Sequence, residues 1–191
     1  SILLKWTRED EHCWEPYGSA MQCNLQASVN NNGEITTWSH ETFSDTFLTR
    51  PVVGKNPGSR LLSTHYMKQS KPWPVTPPML TMQGGIHRNI EPIYNFPSPR
   101  LVKHRVYDLP LRTSALRALG AFGNIFAIES MMDELAEALK LDPFHFRLKH
   151  LNDEQGIQTL IRLKELVDKD RVNFPQEAGL GISFARYKNS A

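Results

Sequence analysis

The 191-residue sequence predicts an α+β fold, a β-hairpin or small sheet packed against a helical segment. Three observations carry that prediction. Ala20–Val29 alternates strictly between apolar and polar residues, the pattern of a half-buried strand. From Asn124 onward the apolar residues Ile125, Ile128, Met132, Leu135, Ala136 and Leu139 recur at helical spacing. Strand signals come first and helix signals follow, without the alternating rhythm of a parallel α/β sheet.

Taken in order, residues 1–50 read as β structure. Ile2-Leu3-Leu4 resembles the inside of a strand, so the chain is expected to begin partway through a longer protein. Within Ala20–Val29, Met21, Cys23, Leu25, Ala27 and Val29 share one face, and Gln22, Asn24, Gln26 and Ser28 the other. Asn30-Asn31-Asn32-Gly33 is rich in residues that tolerate positive φ, and Glu34–Phe43 is expected to return as the paired strand. Residues 51–100 carry nine of the thirteen prolines together with Gly84-Gly85, which excludes long helices and central strands. Trp73, Met79, Leu80, Met82, Ile90, Ile93, Tyr94 and Phe96 nevertheless argue that this stretch packs. It is expected to wrap as an extended excursion around a short helix near Ser59–Lys68. Leu101–Asp108 reads as a strand. Asp142-Pro143 starts a second helix, whose buried side is Phe144, Phe146, Leu148 and Leu151. Ile157–Lys169 is a third helix, and Gly181–Tyr187 looks like a strand.

Composition excludes several function classes. A net charge of +2, with basic residues scattered among acids, gives no electrostatic footprint for nucleic acid. No apolar run approaches the ~18 residues of a membrane span. Cys13 and Cys23 match neither a disulfide framework nor a zinc spacing, and read as free thiols. Glu9, Asp10, Glu11 and His12 are expected on one strand, where side chains alternate faces and cannot converge on a metal. His145 and His150 are five apart, which misses the i, i+4 geometry of a helical zinc pair. No Walker A, Gly-x-Ser-x-Gly, dinucleotide fingerprint or Cys-x-x-Cys occurs, so the chain shows no self-sufficient catalytic apparatus.

The strongest motif is Arg117-Ala118-Leu119-Gly120-Ala121-Phe122-Gly123-Asn124 at a helix entry. A fixed positive charge, free backbone N–H groups and small residues suit an anionic cofactor. Spacing alone leaves open a plain tight helix entry in which Arg117 pairs a carboxylate. A second candidate is Gly84-Gly85-Ile86-His87-Arg88-Asn89, where Arg88 is placed to steer an anionic or polar substrate at a pocket mouth. A simple loop turn is the alternative there.

These residues resemble a known family. Trp6-Thr7-Arg8-Glu9-Asp10-Glu11, Tyr94-x-Phe96-Pro97, the FAIESMMDELA helix (residues 126–136) and Gly181-Ile182-Ser183-Phe184 run in the order found in molybdenum-hydroxylase large subunits. This is the xanthine dehydrogenase and aldehyde oxidase family, and the nearest branch is the bacterial isoquinoline 1-oxidoreductase or nicotinate dehydrogenase type. The resemblance implies part of a molybdopterin-binding domain and an oxidoreductase that hydroxylates an aldehyde or N-heterocycle with water. It implies a molybdenum–pyranopterin cofactor, as the cytosine dinucleotide, in the intact enzyme, and none bound by these 191 residues alone. By position, Arg117, Ala118, Gly120, Gly123 and Asn124 would face the cofactor, and Leu119 and Arg88 the substrate pocket. Leu119 stands where purine-oxidising members carry a phenylalanine, which implies a substrate other than a purine. Ala118 stands where the family pattern has glycine. The glycine-rich cofactor loop, the Gly-Gln-Gly segment and the catalytic glutamate have no counterpart here, so no catalytic residue is assigned.

The resemblance divides the chain into residues 1–152, the C-terminal part of a first cofactor-binding lobe, and 153–191, a linker helix with the first strand of a second. Its implied partners are the rest of the large subunit, an iron–sulfur small subunit and a cytochrome, and the chain is expected to self-associate through an apolar seam. The rival reading is a non-catalytic protein-interaction domain on the same scaffold.

Overall fold

A computed structural model describes residues 1–47, 62–69, 77–81, 84–107, 109–170, 175 and 178–187. It contains α1 (Arg8–Trp14), β1 (Met21–Val29), β2 (Ile35–Ser44), β3 (Arg100–Arg105), α2 (Ala121–Ala138), α3 (Pro143–Lys149) and α4 (Glu154–Asp170). Short 3-10 turns at Leu62–Tyr66 and Gly85–His87 punctuate the proline-rich stretch. The expected residues 59–61 of the short helix, and Trp73 and Met82, lie outside the described residues.

The hairpin forms as its alternation predicts. β1 pairs antiparallel with β2 from Met21 opposite Ser44 to Val29 opposite Ile35. Asn30 closes the turn by accepting from the Asn32 and Glu34 N–H groups at its Oδ1, 3.0 Å each. Gly33 sits at φ 71°, in the left-handed region where the absence of a Cβ removes the steric cost. β3 then joins the other edge of β2 in parallel, Ser39 opposite Arg100 through Ser44 opposite Arg105. The sheet order is therefore β1-β2-β3.

Two local expectations for the chain ends are corrected. Residues 8–14 are helical rather than extended, because Thr7 and Asp10 form a reciprocal capping box. The Thr7 hydroxyl accepts from the Asp10 N–H (3.2 Å), and Asp10 accepts from the Thr7 N–H (3.0 Å). Glu9, Asp10, Glu11 and His12 thus lie on α1 and not on a strand, and Ile2-Leu3-Leu4 is exposed outside any strand. No metal-binding group of His, Cys, Asp and Glu occurs among the described residues. At the other end, residues 181–186 form no strand, and only Tyr187 makes a bridge. Burial of Ile182 and Phe184, rather than strand pairing, holds this segment.

One core unites the elements. Ile35 and Trp38 from β2, Tyr94 and Phe96 from the proline-rich stretch, Ile128, Met132 and Ala136 from α2, and Phe144 and Phe146 from α3 pack together. Leu160, Ile182 and Phe184, from beyond residue 152, enter the same core. The Trp38 and Phe96 rings meet with centroids 4.4 Å apart, so the proline-rich excursion is anchored by its aromatic residues. α3 begins as its sequence demands, with Asp142 accepting from the His145 N–H (2.8 Å) and Pro143 at the first helical position. No helix among the described residues is long and apolar enough to cross a membrane.

Candidate functional site

From β3 the chain runs back along α1's exit, where Tyr17 and Thr113 bridge, with Tyr17 N–H to Arg112 O at 3.0 Å and Ser114 N–H to Tyr17 O at 2.9 Å. It then turns sharply at residues 117–120 into α2. Ala118 (φ 76°) and Leu119 (φ 54°) are both left-handed. For residues with a Cβ that conformation costs roughly 1–2 kcal/mol each, so the turn is strained and must be held by its neighbours. Glycine at position 118 would adopt this backbone without that cost. The alanine fits there, with strain.

Arg117 projects from this turn into solvent and makes no ion pair with any described carboxylate. The alternative of Arg117 locked to an internal acid does not occur. α2 has no side-chain cap at its start. Of its first amides, Ala121 N–H is taken by Ala118 O (3.1 Å), while those of the rest of the first turn lack intrahelical acceptors by geometry.

The two glycines serve a different contact from the one spacing suggested. Gly120 N–H donates to Gly85 O at 3.1 Å, and a Cβ on Gly120 would lie 2.3 Å from Ile86 O and 2.6 Å from Gly85 O. The missing side chain lets the Gly84–Asn89 loop press against the helix entry. A Cβ on Gly123 would meet Met21 Sδ at 2.9 Å, a side chain of β1. Asn124 completes the clamp. Wholly buried, its Nδ2 donates to Ile86 O and to Arg88 O, 2.9 Å each, while Cys23 Sγ donates to its Oδ1 at 3.7 Å. The two stretches singled out in the sequence, residues 84–89 and 117–124, are therefore one structural unit.

Arg88 does not open onto solvent as a free steering charge. Its guanidinium lies over the Tyr187 ring, 5.0 Å from the centroid, and its Nε and Nη1 are buried without a partner. Beside it, Asn89 (φ 57°) donates to Arg186 O at 2.6 Å. Leu119 is half-buried on the strained turn. The loop is tied to β3 as well: Lys103 Nζ reaches His87 Nδ1 (3.0 Å) and Met79 O (2.6 Å), and His87 Nε2 bonds Thr81 O (2.8 Å).

Beneath the loop lies His40 of β2, fully buried, with neither ring nitrogen in a well-formed hydrogen bond. Burial pushes its pKa down to about 4. His150, also buried, is depressed for the same reason; its Nδ1 donates to Phe146 O (2.8 Å) and its Nε2 accepts from Ile35 N–H (3.1 Å). Burial therefore favours the neutral form of both rings in the folded state. A folded-state pKa below the unfolded value of about 6.5 means stability present above pH 6.5 and lost as pH falls toward 4. For His40 alone the loss reaches about 3 kcal/mol at full protonation of both states. Urea midpoints measured from pH 7 to pH 4 are expected to fall, and His40→Gln to flatten that slope. An equally steep fall in His40→Gln removes His40 as the source.

A charged cluster that sequence reasoning passed over sits on the far side of α2. Arg147, with no exposed surface, donates from Nε to Glu129 Oε2 (2.9 Å), from Nη1 to Asp133 Oδ1 (2.6 Å), and from Nη2 to Glu129 O (3.1 Å) and Ile182 O (3.2 Å). Tyr94 OH donates to Glu129 Oε1 (2.8 Å) and Phe184 N–H to Oε2 (2.9 Å). Burial raises the Glu129 carboxyl, and Arg147 with the other donors acts against that rise. The signal was available: Glu129 falls inside the apolar stripe of α2, and Arg147 between Phe146 and Leu148.

The structure thus brings an uncapped helix start, an exposed arginine and a clamped glycine loop together on one α+β layer. Residues 74–151 match the model of the molybdopterin cofactor-binding domain. The chain as a whole is similar to components of bacterial oxidoreductases. It is 30% identical, over 99% of its length, to a nicotinate dehydrogenase component from Pseudomonas putida, and 27% identical, over its full length, to the beta component of isoquinoline 1-oxidoreductase from Brevundimonas diminuta. It spans only 15% and 22% of those two relatives. Among solved structures, quinoline 2-oxidoreductase from Pseudomonas putida 86 shares the fold over 88% of this chain and 20% of its own, with a TM-score of 0.58 at 14% identity.

Proposed function

We propose that this chain forms one wall of a molybdopterin site in an oxidoreductase that hydroxylates an aldehyde or N-heterocycle using water, with most of that site supplied by sequence outside these 191 residues. The observation that carries the reading is Arg117, a solvent-facing cation without an internal carboxylate, on a strained turn before an uncapped helix start. An anionic pterin phosphate would take up that charge and the first-turn amides of α2 beyond Ala121. The residues fit such a group on their open side, Arg117 with Ala118 and Leu119. Gly120, Gly123 and Asn124 would act one layer back, holding the turn against the Gly84–Asn89 loop. Leu119 and Arg88 would border the substrate, Arg88 through a guanidinium whose direction Tyr187 fixes. When bound, the molybdenum centre supplies the oxygen-transfer and redox chemistry.

In this reading the cofactor is the cytosine dinucleotide form, the 191 residues alone hold none, and residues 153–191 lead into a second lobe. Both relatives are themselves named as subunits, so a multi-subunit enzyme is the setting. An iron–sulfur protein, a cytochrome and a second copy of this chain are the partners it anticipates. Metal analysis of the product of the whole coding sequence tests it. Molybdenum is expected at about one equivalent, falling several-fold in Arg117→Met with unchanged melting. An intact, soluble product without molybdenum, or an Arg117→Met variant with full metal content, overturns the assignment.

A further inference from the structure

The sheet has two edges, and only one is protected against pairing. β3 places Arg100, Lys103, His104 and Arg105 in six residues, the charged edge by which sheets resist pairing. β1, on the opposite edge, reads MQCNLQASV over nine residues: no charge, no proline, no glycine. Its pairing with β2 is regular up to a bulge at its last residues, so the strand is long and uniform. Its outer backbone groups have no strand partner among the described residues. Alongside runs an apolar groove of about 370 Å³, lined by Met21, Leu25, Gly123, Phe126, Met131 and Glu134. Phe122 and Phe126, one helical turn apart on α2, stand 79% and 73% exposed beside it.

We propose that the β1 edge is a homodimer interface, in which two copies of this chain pair their β1 strands antiparallel about a two-fold axis at Leu25. That register sets Leu25 opposite itself, Cys23 opposite Ala27 and Met21 opposite Val29 on the helix-covered face. On the other face Asn24 meets Gln26 and Gln22 meets Ser28. Every pair matches apolar with apolar or amide with polar, and no like charges meet, which is why a second copy suits this edge. The same operation continues the three-stranded sheet into six and brings the two α2 helices to the same side. The four exposed Phe122 and Phe126 rings can contribute about 500–800 Å² of the roughly 1,200–2,000 Å² a stable interface buries. Strand pairing and the groove supply the remainder. This deepens the self-association anticipated above but rests on edge geometry, so molybdenum content and oligomeric state test separate statements.

Sedimentation equilibrium of the 191-residue chain decides it. The expected mass is twice 21.9 kDa at high concentration, with dissociation on dilution. Two variants change only exposed side chains: Asn24→Lys with Gln26→Lys, which crowds four lysines at the centre of the paired edge, and Phe126→Glu on α2. Each is expected to return the mass to 21.9 kDa with wild-type far-UV circular dichroism and melting when dilute. A wild-type mass of 21.9 kDa at every concentration, or an assembly that survives either folded variant, overturns the proposal.

Discussion

Arg147→Met is expected to destabilise the protein by about 3–5 kcal/mol, the cost of leaving one partner of a buried ion pair alone. The guanidinium is fully buried and bonds Glu129, Asp133, Pro143 O and Ile182 O, so methionine replaces its volume but none of its donors. Glu129 then keeps only Tyr94 OH and Phe184 N–H, too little to hold a carboxylate ionised away from water. Against a total of roughly 5–15 kcal/mol for a domain, that loss is large. Because Ile182 O is among the lost acceptors, residues 182–184 should detach early, seen as faster amide exchange there than in β1. Glu129→Gln in the Arg147→Met background removes the stranded charge and should recover part of the loss. Chemical denaturation of the two single variants and the pair measures the coupling. Additive losses would show that the ion pair is not what Arg147→Met breaks.

Gly120→Ala is expected to cost about 2–3 kcal/mol, at the upper end of overpacking penalties. Gly120 has φ −64°, so the backbone itself tolerates alanine and the whole effect comes from contact. The new Cβ would sit 2.3 Å and 2.6 Å from the carbonyl oxygens of Ile86 and Gly85. Those carbonyls cannot swing away, because Asn124 Nδ2 holds Ile86 O and Arg88 O, and Gly120 N–H holds Gly85 O. The loop must lift as a body. Gly123→Ala is the control. Its Cβ would meet the movable Sδ of Met21 at 2.9 Å and the Met21 Cβ at 3.2 Å, a side-chain rather than a backbone clash. Alanine gains about 0.5–1 kcal/mol over glycine inside a helix, so the net change stays within about 1 kcal/mol. Thermal melts compare the two, and limited proteolysis between residues 84 and 90 should accelerate only in Gly120→Ala. Equal effects would mean that the Gly120 contact is not tighter than the Gly123 one.

Much of this architecture was legible in the residues. Alternation in Met21–Val29 and the Asn30–Gly33 turn specify the hairpin, because a period of two commits Met21, Leu25 and Val29 to one face and the turn sets the register. The stripe Ile128, Met132, Ala136 specifies the buried face of α2, and Asp142-Pro143 the start of α3. The first fourteen residues misled: a capping box between Thr7 and Asp10 starts a helix there, and Ile2-Leu3-Leu4 lies exposed outside any strand. Residues 181–187 misled in the opposite way. Alternating Ile182 and Phe184 are buried in the core, but they pair with no strand among the described residues.

The candidate site divides along the same line. Local order determined that an arginine precedes a helix and that glycines surround it, since charge, backbone freedom and helix onset are properties of neighbours in sequence. That Arg117 pairs no described carboxylate was left to the fold. Tertiary contact alone decided what the glycines touch, how Asn124 joins residues 84–89 to 117–124, and where Glu129 and Arg147 find each other. These are pairings across 18 to 38 positions or between backbone atoms, which carry no periodicity and become visible only when packing brings the partners within bonding distance.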